Sequence, residues 1–368
     1  MKTTVQHVTF PDNRRILMLS DIHGHAEGLE ALLNEAQFST DDILVIVGDL
    51  VDKGKESLRT VRMVMELCKT HTVYPLMGNV DLWRMEHFFS DDPEVLQSMI
   101  RYSINAKKWW GNSFLHEVCE ELGTSPEALT DTQPFFQKLR KHFAAEFDFL
   151  WNLPTVLDTQ RMIFVHGGVP HERTDELVGT EAYPLLKWDH FYEDGLSFDK
   201  TVVVGHWPTT LYSPNGPMYH PLWDRERHIL CLDGACGVKE EGQLNLLVFP
   251  DWRSDEPELH TWTGLPMVTA LDHQMASTDF DYIRWGDHEV TLLEKKGDLA
   301  RITHHDREMT VPADFLWEKD GHTYSSDITD LRLAVSPGDR LYRICESSLG
   351  LFAKKDGVIG WYEGRYEA

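Results

Sequence analysis

Six side chains in five short blocks could do metal chemistry. Asp21 and His23 lie in Asp21-Ile22-His23-Gly24, Asp49 in Gly48-Asp49-Leu50-Val51-Asp52-Lys53-Gly54, Asn79 in Gly78-Asn79-Val80-Asp81, His166 in His166-Gly167-Gly168 and His206 in Gly205-His206. Carboxylate and amide oxygens are hard donors and imidazole nitrogens borderline ones, a mixture that suits manganese, iron or zinc. Two such ions close together can activate a water and clamp the oxygens of a phosphate ester. Each block alone has a bland use, since Asp-x-His-Gly can be a turn before a helix and a histidine after a strand can be a satisfied core residue. The recurrence carries the chemistry: the first four blocks follow, or nearly follow, apolar runs that read as buried strands, which would gather their side chains on loops at one edge of a sheet.

Those loops need a frame. Arg15 to Ser20, Ile43 to Val47 and Thr72 to Met77 read as strands. Between them, Leu29, Leu32, Leu33 and Ala36, then Leu58, Val61, Met65 and Cys68, fall at helical spacing. This is a βαβαβ layout, whose parallel strands present ligands at their carboxyl ends. From Leu82 to about Leu150 the pattern is helical and aromatic, which predicts a helical insertion over about 83–150 whose aromatics form a local core or roof the site. Strand signals resume at Arg161 to Val165, Thr201 to Val204, His228 to Leu232 and Asn245 to Phe249. From about Asp281, alternating segments with turns at Lys296-Gly297-Asp298 and Gly338-Asp339 predict a β-rich end to the chain.

In these five blocks and their order, the chain resembles the metallophosphoesterases of the calcineurin-like superfamily. Within it the chain is similar to the phosphoprotein phosphatase (PPP) group, its bacterial members and the symmetrical diadenosine tetraphosphate hydrolases, over roughly residues 15 to 250. The resemblance implies an α/β fold: a β-sandwich flanked by helices in four αββα layers, forming a catalytic domain over 1–262. Residues 263–368 then form a β-rich domain that looks like two small SH3-like barrels in tandem. It also implies two divalent ions, manganese first and iron or zinc as alternatives. Asp21 and His23 would bind one, Asp49 would bridge, and Asn79, His166 and His206 would bind the other. A metal-bridging hydroxide would attack phosphorus directly, without a covalent phospho-enzyme.

Three positions depart from the family pattern. Val80 stands where a histidine, paired to the position of Asp52, is thought to protonate the leaving group. Lys53 replaces a phosphate-binding arginine, keeping charge but losing the bidentate fork, and Met77 replaces another arginine. Asp52, Lys53 and His25 are therefore the further catalytic candidates, His25 as a stand-in acid with a solvent-facing helix start as its bland reading. The function implied is a PPP-like, serine/threonine protein phosphatase-like phosphoesterase. The alternative is a phosphodiesterase or dinucleoside polyphosphate hydrolase acting on good leaving groups. A reading of another class is a catalytically weak metal-binding scaffold with adaptor barrels.

Composition bounds these readings. The 368 residues carry a formal net charge of -25, with 42% hydrophobic and 26% charged residues. That describes a globular chain of about two domains, whose acidity disfavours a nucleic-acid partner. The partners expected are a phosphorylated small molecule or phosphoprotein, and a protein for the C-terminal barrels. No apolar signal core opens the chain and no stretch reads as a membrane span, so cytoplasm is the expected compartment. Cys68, Cys119, Cys231, Cys236 and Cys345 lack metal-type spacing and read as reduced structural thiols.

Overall fold

Strand β1 (Val5–His7) is followed by β2 (Ile16–Leu19), whose sequence Ile-Leu-Met-Leu is buried at all four positions. Alternate residues of a strand face opposite sides, so such a run requires cover on both faces of its sheet. The computed structural model, which describes residues 1–130, 132–213 and 216–368, provides it. Leu17 and Leu19 pack with Leu44 and Ile46 of β3 (Ile43–Ile46) against Leu29, Leu32 and Leu33 of α1 (Ala26–Glu35) and Val61 and Val64 of α2 (Ser57–Thr70). Ile16 and Met18 belong instead to a core shared with Val45, Phe164, Val203 and Leu230.

That second core lies between two sheets. The first, ordered β11-β10-β2-β3-β4, adds β4 (Thr72–Pro75), β10 (Leu244–Phe249) and β11 (Glu258–Trp262). The second, ordered β1-β5-β6-β7-β9-β8, adds β5 (Val156–Asp158), β6 (Met162–Val165), β7 (Thr201–Val204), β8 (Leu222–Asp224) and β9 (Ile229–Cys231). β2, β3 and β4 pair in parallel, as do β6, β7 and β9. The βαβαβ run is therefore present, and each sheet presents parallel strand ends.

Between β4 and β5 stand α3 (Asn79–Phe88), α4 (Pro93–Trp110), α5 (Phe114–Glu121), α6 (Thr132–His142) and α7 (Ala144–Trp151). Phe88, Phe114, Phe136, Phe143 and Phe147 are fully buried in the core shared with α1 and α2. Phe88 and Phe147 stack with centroids 4.9 Å apart. Burying a phenylalanine contributes about 1.5–3 kcal/mol, so these aromatics hold the insertion together; among the described aromatics of the insertion, only Phe89 and Trp109 remain largely exposed. The helical stretch begins at Asn79, earlier than the expected 83, because the third block itself starts α3.

The chain divides into two units, Met1–Pro208 with Pro221–Thr263, and Thr209–His220 with Gly264–Ala368. The sheets of the second are antiparallel. One of its five-stranded sheets is ordered β22-β21-β20-β12-β23 and the other β16-β15-β14-β18-β17, with a small β13-β19 pair. In chain order the strands are β12 (Met267–Ala270), β13 (Tyr282–Ile283), β14 (Glu289–Lys296), β15 (Leu299–His304), β16 (Arg307–Pro312), β17 (Leu316–Lys319), β18 (His322–Ser325), β19 (Ile328–Thr329), β20 (Arg340–Ser347), β21 (Gly350–Lys355), β22 (Val358–Tyr362) and β23 (Tyr366–Glu367). The two sheets are nested in sequence, where a tandem pair was expected. Val268 and Ala270 of β12 are buried with Leu341, Leu351 and Tyr362, so the sheet that closes the chain needs a strand from before the other sheet. Residues of the excursion between β7 and β8 join this unit too: the Tyr219 amide donates to the Gly357 carbonyl at 2.8 Å, and Met218 bridges Val358. Among the described residues no helix is long and apolar enough to cross a membrane.

Candidate metal centre

Every expected ligand sits just beyond the carboxyl end of a parallel strand. Asp21 and His23 follow β2, Asp49 follows β3, Asn79 follows β4 as the first residue of α3, His166 follows β6 and His206 follows β7. The backbone there is bent hard. Asp21, His23, Asp49 and His206 have φ of 54°, 46°, 52° and 68°, a left-handed conformation that costs a non-glycine residue about 1–3 kcal/mol and is tolerated where surrounding structure enforces it. Two glycines admit the close approach. A Cβ on Gly78 would stand 2.1 Å from Asp49 Oδ1, and one on Gly205 would stand 2.3 Å from Asp21 Oδ2.

The ring nitrogens are assigned by their outer contacts. His23 Nδ1 donates to the Val51 carbonyl at 3.2 Å and His166 Nδ1 to the Val47 carbonyl at 2.8 Å, the outer hydrogen bonds that orient metal-ligating imidazoles. Both Nε2 atoms therefore face inward. His23 Nε2 lies 3.8 Å from Asp21 Oδ1 and 3.5 Å from Asp49 Oδ2. His166 Nε2 lies 3.4 Å from Asp49 Oδ2, 4.0 Å from Asp21 Oδ1 and 3.1 Å from Asn79 Oδ1. Asp49 Oδ1 accepts the Val80 amide at 2.8 Å, and Asp21 Oδ2 accepts the His206 amide at 3.1 Å. The His206 ring lies 5.4 Å from that of His166, centroid to centroid, with its Nε2 2.7 Å from Asp189 and 3.3 Å from Lys187 Nζ.

Charge at this place is out of balance. Asp21, Asp49, Asp81 and Asp233 are all buried. Burial and the nearby Asp49 charge push Asp81 up to about 7, while burial and Asp21 push Asp233 well above the carboxylate range. Burial opposes a charged His166, yet Asp49 and Asp21 push it up to about 10. Burial and the Lys53 ammonium pull His23 down to about 3. Asp233 Oδ2 is buried without a hydrogen-bond partner among the described residues. Packed carboxylates short of positive charge, beside inward lone pairs of imidazole and amide, fit divalent cations by both charge and donor type. The ligating atoms of Asp21, His23 and Asp49 already lie within 4.8 Å of one another.

The remaining candidates are placed differently. Lys53 Nζ approaches His23 Nε2 at 3.1 Å. His25 Nδ1 donates to the Ile22 carbonyl at 3.0 Å and its ring rests 5.9 Å from that of Trp262. Asp52 faces a residue that sequence reasoning missed: both its oxygens are taken, Oδ2 by Arg84 Nε at 2.8 Å and by Arg84 Nη2, and Oδ1 by the Phe114 amide at 2.8 Å. Arg84 is fully buried, its guanidinium 4.8 Å from the Trp83 ring and 5.4 Å from that of Tyr102. Its spacing was the available signal, since Arg84 lies one helical turn after Val80 and shares its face. Asp233, Asp189 and Lys187 were also missed. Asp233 had the strand-end position of the ligands, two residues beyond β9.

The close approach of Gly205 gives a direct check. Gly205→Ala should displace Asp21 and lower metal affinity at least tenfold, with overpacking costing about 1–3 kcal/mol. Elemental analysis and thermal melting would read both, and unchanged metal content would show that the Asp21 carboxylate is not held as described.

The profile of the calcineurin-like phosphoesterase family matches residues 14–249. Over 256 residues, 66% of the chain and 76% of its relative, the chain is 26% identical to a symmetrical bis(5'-nucleosyl)-tetraphosphatase of Shewanella sediminis. It is 34% identical to serine/threonine-protein phosphatase 2 of Salmonella typhimurium over 80 residues, 22% of the chain and 35% of that protein. A solved serine/threonine phosphatase from Saccharomyces cerevisiae superposes with a TM-score of 0.42 at 12% identity, covering 72% of this chain and 85% of the other.

Proposed function

This chain belongs to the calcineurin-like phosphoesterase family, and from that premise we propose which phosphate ester it cleaves and with which residues. It is a metal-dependent hydrolase of phosphoric ester bonds. When bound, two divalent ions supply an activated water and charge neutralisation for in-line displacement at phosphorus. Asp21, His23, Asp49, Asn79, His166 and His206 would hold them, with Asp49 shared. Manganese is our assignment, supported by a donor set of carboxylates, an amide and imidazoles; reconstitution with manganese, zinc and iron in parallel tests it. Lys53 would direct its ammonium at a substrate phosphate, which draws it off His23 Nε2.

The substrate class follows from the leaving group. The single observation that carries the reading is the occupied Asp52: Val80 offers no proton, and Arg84 and the Phe114 amide already fill the carboxylate that would support a histidine there. We therefore favour substrates that depart without protonation, such as dinucleoside polyphosphates or aryl and nucleoside phosphates, over serine phosphates. The Shewanella relative's name points the same way, while the Salmonella relative supports the protein phosphatase reading.

Turnover of a leaving-group series, together with a phosphoserine peptide and diadenosine tetraphosphate, separates the two. Without an acid the rate should fall steeply as leaving-group pKa rises. Val80→His alone should leave that slope in place, because the new ring must compete with Arg84 for Asp52. A well-placed acid would raise poor leaving groups by about 10²- to 10⁴-fold. A shallow slope in the wild type, lost in His25→Ala, would assign the proton to His25 and return the phosphoprotein reading.

Two finer readings stay with this proposal. The five-stranded antiparallel sheets of the second unit, one with a 3₁₀ turn at Ala313–Phe315 before β17, support the reading of small SH3-like modules, for which a protein partner is our proposal. Cys119 and Cys231, buried and outside any disulfide, support a reducing, cytoplasmic setting.

A further inference from the structure

The second unit brings together three ligand-type side chains that belong to none of the five blocks. His304 ends β15, His305 follows it, and Asp287 stands between β13 and β14. Neighbouring residues of a strand point to opposite faces, but His305 has φ 48°, and the two imidazole centroids lie 4.2 Å apart. His305 Nε2 is 2.8 Å from Asp287 Oδ2, and His304 Nε2 is 3.4 Å from Asp287 Oδ1. The three ligand atoms lie within 4.8 Å of one another.

What points to a ligand is His304. Its side chain is only 1% exposed. Nδ1 lies 2.6 Å from Asp281 Oδ2, where an imidazole N–H donates to a carboxylate. Nε2 is buried with no hydrogen-bond partner among the described residues. In the neutral tautomer that Asp281 selects, Nε2 carries a lone pair, and it faces a carboxylate oxygen. A lone pair and a carboxylate oxygen held this way are both satisfied by a cation between them. Asp281 is itself fixed, its Oδ1 accepting the Tyr282 amide at 2.8 Å, and a carboxylate behind a histidine is the arrangement that orients imidazole ligands in metal sites.

We propose that Asp287, His304 and His305 form a binding site for a zinc-class divalent cation, with Asp281 as the carboxylate that orients His304. Two imidazoles and one carboxylate, with water in the fourth position, are a zinc donor set, whereas calcium and magnesium demand more oxygens. Donors about 2.0–2.1 Å from a tetrahedral ion stand roughly 3.3 Å apart. The His304 to Asp287 separation already has that value. His305, with 66% of its side chain exposed, is free to rotate back from its hydrogen bond. A bound ion would tie the turn before β14 to the turn between β15 and β16.

The test uses the full chain in the Asp49→Asn background, dialysed against Zn²⁺ and analysed for metal. Adding His305→Ala should remove one zinc per chain and weaken its binding at least about 100-fold, the upper end of what loss of even an outer partner costs. That difference is one zinc whatever the Asp49 variant retains elsewhere. Asp281→Asn should weaken the same zinc about 10- to 100-fold. His305 is exposed, so its variant should melt as the parent does without zinc, and Asp287→Ala serves as the second variant. Equal zinc content with and without His305→Ala and Asp287→Ala would overturn the site. So would nitrogen NMR showing His304 as an imidazolium that added zinc leaves unchanged, a proton then being the cation between the two aspartates.

Discussion

Asp49→Asn should remove metal and turnover together. In the proposed centre Asp49 is the shared carboxylate: one of its oxygens lies 3.5 Å from His23 Nε2 and 3.4 Å from His166 Nε2, closer to both than Asp21 Oδ1 is. Its other oxygen is held by the Val80 amide, which fixes the orientation without competing for that oxygen. An amide at this place keeps the shape and loses the charge that the two proposed cations would share. The ions contribute several kcal/mol of transition-state stabilisation, so the loss should be about 10³-fold or more. Elemental analysis and phosphate release on one preparation check it. Two ions per chain with near-normal turnover would remove Asp49 from the shared position.

Arg84→Met should destabilise the first unit by about 3–5 kcal/mol, the range for stranding one partner of a buried ion pair. Asp52 has 1% of its side chain exposed and Arg84 none, so neither charge is recoverable by water. The cost falls on Asp52, which keeps only the Phe114 amide. Adding Asp52→Leu should restore much of the lost stability, because replacing both members of a buried pair by apolar groups is often neutral. Urea unfolding of the single and double variants reads the difference. If Arg84→Met costs under about 1 kcal/mol, the pair is not the fixed element that keeps Asp52 from acid-base work.

The parts of this molecule that were legible in sequence are those with a local period. Ile16 to Leu19 and Ile43 to Ile46 are unbroken apolar runs ending in Asp-bearing turns, so their strands and ligands could be read together. Partners distant in sequence left no such mark. Arg84 meets Asp52 across 32 residues, and β12 closes the sheet of β20 to β23 across the whole of the other sheet. The nesting was therefore invisible to a reading of alternation and turns, which treats each strand with its neighbours. His304 and His305 were hidden for a different reason. Adjacent residues in a strand are expected on opposite faces, and only the positive φ of His305 brings both rings together.

The most direct test of the metal-dependent site is to strip the wild-type chain with a chelator, restore manganese in steps, and follow phosphate release from an aryl phosphomonoester against bound metal. The stripped chain should be inert, and activity should rise as the ions that require Asp49 are filled and level off when they are complete. Turnover that persists in the metal-free chain, or that manganese restores fully in Asp49→Asn, would contradict it.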